Sequence, residues 1–142
     1  MNVPLDHDAL AAGVLRAKPV LFGKLARACD VDEAGARAAL REVIRFLDLC
    51  VEAGRPLTPS PRVDDAWHEF VLCTREYDAF CREHFGRFVH HDPGGTDEDN
   101  RRQFQLTLRA YALRFGDPDP AFWGPAATHV PSANCGGCES PE

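Results

Sequence analysis

The sequence predicts an all-α fold: one domain of about four to five mostly antiparallel helices, with a loose C-terminal tail. Three observations carry that expectation. Apolar side chains recur at alternating three- and four-residue steps over long stretches, cap and stop signals bracket those stretches, and no segment shows the strict alternation of a half-buried strand. The 142 residues, 44% of them hydrophobic, supply enough apolar material for one core. The helical domain is expected over residues 1–125 and the Gly/Cys-containing tail over 126–142, where apolar side chains are too sparse to fold alone.

Asp6 caps a short helix reaching about Arg16, and a second fits Val20 to Cys29 after Lys18-Pro19. Asp30-Val31-Asp32-Glu33 then opens a longer helix, with Ala36, Leu40, Val43, Leu47 and Cys50 on one stripe. Ala39, Ile44, Phe46 and Val51 widen that stripe, so this helix is expected to be central and buried on more than one side. Gly54 ends it, and Ser60 with Pro61 forms the next start signal. From Val63 through Trp67, Phe70, Thr74, Tyr77, Cys81, His84 and Phe88 the 4-3 rhythm is unbroken, which predicts one helix from Ser60 to Phe85. Gly86 stops it, and the segment from Phe88 to Gly95 reads as a loop. Thr96 caps a last helix with Phe104, Leu108, Tyr111 and Phe115 on its buried stripe and Asp97–Arg101 and Glu98–Arg102 as i,i+4 pairs, and Gly116 ends it. Ala121-Phe122-Trp123 follows as an aromatic plug after a proline-rich turn.

Net charge is −6, from 22 acidic and 16 basic residues, which argues against a surface built to neutralise phosphate backbones, so nucleic acid is not an expected partner. No apolar run is long enough for a membrane span, and the N-terminal residues lack the basic and apolar regions of a signal peptide. A cytoplasmic protein with reduced thiols is expected. Cys29, Cys50, Cys73 and Cys81 fall inside helical patterns and read as small core residues.

The residues that stand apart are Asp64 and His68, neighbours at i,i+4 on the shoulder of the helix whose stripe carries Trp67. A carboxylate and an imidazole so placed can share a divalent metal, or the carboxylate can orient the ring. Alternatively, Asp64 simply complements the helix dipole and His68 is a boundary residue. The adjacent His90 and His91 in a Gly/Pro loop are a second unusual feature. Together, Asp64, His68, His90 and His91 offer enough donors for zinc or another divalent ion. On an unbroken helix, however, residue 68 lies about 25 Å from the C-terminal end, so a shared site requires the loop to fold back. Otherwise the loop histidines meet His84 or Cys81, and Asp64–His68 forms a site of its own.

Cys135-Gly136-Gly137-Cys138 has the spacing of half a zinc site and reads either as an accessory metal or thiol pair or as a flexible tail with no fixed role. A thioredoxin-like role is disfavoured because that chemistry needs a helix after the motif. No nucleophile elbow, phosphate-cradling loop or His-Glu-x-x-His is present, so no catalytic residue is assigned.

The run Pro59-Ser60-Pro61-Arg62-Val63-Asp64-Asp65-Ala66-Trp67-His68, followed by Tyr77, Phe80-Cys81, Phe85-Gly86 and His90-His91, resembles the glycine-rich domain-containing protein-like family over roughly residues 55–125. Its most specific mark is Val-Asp-x-x-Trp-His. Larger relatives often continue as Trp-His-x-His, where this chain has Phe70, which puts a two-histidine helical site in doubt. The resemblance implies a helical module with a polar histidine site, and Cys135 and Cys138 as remnants of a Gly/Cys-rich tail. The leading expectation is a domain that binds a divalent metal or small ligand through Asp64, His68, His90 and His91. The alternative is a non-catalytic adaptor for a protein partner, with Trp67-His68 as a structural signature.

Overall fold

The computed structural model describes residues 4–92 and 95–124. Among them the regular structure is entirely helical: α1 (His7–Ala17), α2 (Val20–Cys29), α3 (Glu33–Ala53), α4 (Pro61–Leu72), α5 (Thr74–Phe85), α6 (Asp97–Phe115) and α7 (Pro120–Trp123). The all-α expectation holds, but seven helices replace the four to five expected. Two local events account for much of the difference. The 60–85 segment is broken in two, and the aromatic plug closes one short turn of helix.

Caps and stops lie where side-chain chemistry puts them. Asp6, Asp32, Ser60 and Thr96 each accept a backbone N–H of the first turn of α1, α3, α4 and α6, removing a donor that would otherwise lack an intrahelical partner. Gly54 and Gly86 end α3 and α5 in the left-handed region, at φ 71° and 75°, a conformation in which a Cβ is unfavourable.

Helix α3 is the centre, packing against α1, α2, α4 and α6. Its 21 residues include Ala36, Leu40, Val43, Ile44, Phe46 and Leu47, all fully buried. It also carries Glu42, a buried carboxylate that accepts hydrogen bonds from Tyr111 Oη of α6, Trp123 Nε1 of α7 at 2.8 Å, Arg41 Nε at 3.0 Å and Arg45 Nη1 at 3.2 Å. Four donors from three helices satisfy a charge that would be very costly to bury alone. Ser60 Oγ adds a second clasp on the plug by donating to Phe122 O at 2.6 Å.

The expected single helix from Ser60 to Phe85 is corrected at Cys73, whose φ −84° and ψ 69° leave the helical region. The chain then doubles back. On a straight helix, residues ten apart are separated by about 15 Å. Here Trp67 donates to Tyr77 across 3.0 Å, and the Phe70 and Phe80 rings lie 5.5 Å apart. The 4-3 rhythm runs through the break because both arms of the hairpin present Phe70, Tyr77 and Cys81 to the same core. Periodicity records which side chains are buried and cannot register a turn that keeps them buried.

Cys29, Cys50, Cys73 and Cys81 are buried free thiols, as expected of cysteines inside helical patterns. Burial raises the pKa of all four, that of Cys50 to about 11, which disfavours the reactive thiolate. No helix among the described residues is long and apolar enough to cross a membrane.

Candidate functional site

The doubling back at Cys73 returns the end of α5 towards the start of α4, and the loop after Gly86 continues in that direction. Tyr77 fixes its path. The buried Tyr77 hydroxyl accepts from Trp67 Nε1 and donates to Val89 O, tying the first arm of the hairpin, the second arm and the loop at one atom. Burial pushes this phenol well above the ordinary tyrosine range, so it stays protonated and keeps its donor role.

Beyond Val89 the two histidines part. His90 is exposed, with its ring 4.8 Å from Phe88. His91 turns onto α4: its Nε2 lies 2.9 Å from Asp64 Oδ1, and its ring centroid is 4.3 Å from Trp67 and 5.9 Å from His68. An ionised carboxylate can only accept, so Nε2 carries the proton shared with Asp64, and in the neutral ring Nδ1 retains a lone pair. That pairing gives Asp64 the part of an orienting group on His91. It sits in the first turn of α4, where a negative charge also complements the helix dipole.

Asp64, His68 and His91 therefore come together, and the 25 Å separation expected on a straight helix does not arise. His90 lines the same cleft without joining them. His84 is apart, 4.7 Å from Phe80. Cys135 and Cys138 lie outside the described residues. Among the described residues no three His, Cys, Asp or Glu side chains are grouped so as to hold a metal ion.

Asp64, Trp67 and His91 form part of the wall of an open cleft of about 750 Å³. Its other sides are the α3–α4 connector, including Arg55, Leu57 and Thr58, the loop from Arg87 to Asp92, and α6 at Asn100, Arg101, Gln103 and Phe104. A hydrogen bond of 3.0 Å from Thr58 to Gln103 joins the connector to α6 across it. The lining mixes aromatic faces with hydrogen-bonding groups, a composition suited to a small organic ligand.

Sequence reasoning missed Tyr77, which sits on a stripe readable only as apolar core. It also missed the cleft arginines, because Arg101 was expected to pair with Asp97. Arg102 does pair with Glu98, at 3.3 Å, whereas Arg101 has no ion-pair partner among the described residues.

No curated protein and no solved structure matches the chain. A family model, UCP032817-like, an uncharacterised family, matches residues 15–114, which span α2 to α6 and include Asp64, Trp67, His68, Tyr77 and His91. The chain belongs to the UCP032817-like family.

Proposed function

We propose that this protein is a small-molecule-binding helical domain whose ligand sits in the cleft beside Trp67, with His91, oriented by Asp64, as its central polar contact. The observation that carries this reading is the cleft: about 750 Å³, within the size range of small-molecule sites, bounded by four separate parts of the fold. An imidazole held through Nε2 has Nδ1 left to accept a ligand proton or donor. The Trp67 ring at 4.3 Å limits its rotation, so little entropy is lost when a ligand engages it. We also propose kinship with the glycine-rich domain-containing protein-like family from the block at 63–68, of which Asp64 and Trp67 line this cleft.

A fragment screen with uncharged compounds, read by amide chemical shifts, tests the proposal. Hits are expected to move amides in 54–58, 87–92 and 100–104 and to weaken in His91→Ala. Hits that cluster elsewhere would overturn it, and so would a cleft that no compound, uncharged or charged, occupies.

A second reading, divalent metal on His68 and His91, draws on the 5.9 Å between their ring centroids, since bonds of about 2 Å let one ion bridge two such rings. Elemental analysis of untagged protein and of His68→Ala decides it: metal near one equivalent, lost in the variant, supports the reading, and substoichiometric metal in both removes it.

A further inference from the structure

The cleft gathers positive charge in an acidic chain. Arg55 comes from the α3–α4 connector, Arg87 from the turn after α5 and Arg101 from α6, and all three line it. None has an ion-pair partner among the described residues; the same holds for Arg16, Arg27, Arg62, Arg75 and Arg109, so what sets the three apart is that they share one cleft. Arg101 is the most telling, because Asp97 stands four residues before it at the spacing for a helical pair, yet Arg101 lines the cleft without making that pair. The acidic groups in the same lining are Asp64, already hydrogen-bonded to His91, and Asp92.

Resting on the reading of the cleft as a ligand site, we propose that its ligand is a small phosphorylated molecule. The phosphate would sit among Arg55, Arg87 and Arg101, and the organic body against Trp67 and Phe104. Phosphate is favoured over carboxylate by donor count. Each guanidinium presents five N–H groups in a planar fork, and three forks offer more donors than the two oxygens of a carboxylate accept, whereas a terminal phosphate adds a third oxygen and a second charge. The aromatic walls favour a phosphate ester over the free ion, because inorganic phosphate leaves the Trp67 and Phe104 faces uncovered.

The test compares phenyl phosphate, benzoate and benzyl alcohol, three probes with one ring and different heads, titrated at constant ionic strength and followed by amide shifts. Phenyl phosphate is expected to move amides in 87–92 and 100–104 and to bind at least tenfold more tightly than benzyl alcohol, with benzoate between them. The Arg87→Gln/Arg101→Gln double variant should weaken phenyl phosphate about tenfold or more and leave benzyl alcohol unchanged. Arg109→Gln, which removes an exposed charge outside the cleft, should bind it as wild type does. Benzoate binding as tightly as phenyl phosphate would overturn the ligand class. Equal losses in Arg109→Gln and the double variant would overturn the cleft arginines as its cause. If uncharged fragments occupy the cleft and phenyl phosphate gains nothing over them, this inference falls and the cleft reading stands; if no probe of any charge occupies it, both fall.

Discussion

His90 and His91 are adjacent, yet they sit differently, because burial alternates along this loop. Val89 is buried, His90 exposed and His91 partly buried on Trp67. The phase is set by the Tyr77–Val89 hydrogen bond, an interaction between residues twelve apart that local composition does not reveal. The histidine pair was therefore legible as unusual, but not which member meets Asp64. A different carboxylate, Asp48, carries an acid-sensitive contribution to stability. Burial pushes the pKa of Asp48 up, but hydrogen bonds from His7 at 2.8 Å and Arg114 at 3.0 Å outweigh it and hold the group below the usual carboxylate range. A depressed native pKa contributes stability that is complete above the unfolded value, about 3.9, and lost as pH falls through the native one. Asp48→Asn is accordingly expected to be less stable than wild type at pH 7, with the gap closing below about pH 4. Urea denaturation across pH 3–7 measures it, and a pH-independent gap would contradict the assignment.

Among the elements, the α4–α5 hairpin forms the site, and Tyr77 is its strut. Tyr77→Phe keeps the ring in the core but leaves Trp67 Nε1 and Val89 O without their partner. Each buried unsatisfied group costs about 1–3 kcal/mol, so a loss of at least about 2 kcal/mol is expected. Amide exchange at residues 89–92 should quicken more than in α1 or α2, because the loop loses its tether. A uniform change across the molecule would show that the bond holds the core and not the loop. Ser60-Pro61, Gly54, Gly86 and Thr96 made the helix ends readable, since each signal acts within one turn. The break at Cys73 was not readable because it carries no glycine, proline or side-chain cap. Its cause is tertiary: Phe70, Tyr77 and Phe80 are all buried, and their rings pack edge to face once the chain turns back.

At the scale of the molecule, α3 supplies the carboxylate on which the last helix closes. Trp123 packs 5.1 Å from Tyr111 and donates to Glu42, so the aromatic plug is part of the core. Trp123→Ala is expected to cost about 3–5 kcal/mol. It should lower the midpoint of a single cooperative urea transition and leave the slope unchanged. An unchanged midpoint would mean that α7 frays independently. The all-α architecture and the centrality of α3 could be read from hydrophobic period alone, because α3 buries residues on more than one face. The cleft could not, since its walls come from segments between 50 and 104 that only the folded chain brings together.

The loop after α5 folds back so that His91, held by Asp64 against Trp67, stands in the wall of the cleft. Long-range nitrogen–proton correlation of the histidine side chains, in wild type and Asp64→Asn, tests it most directly. His91 is expected to have its proton on Nε2, to show ring contacts to the Trp67 indole, and to lose the fixed tautomer when Asp64 is replaced. A tautomer average unaffected by Asp64→Asn, with no contact to Trp67, would contradict it.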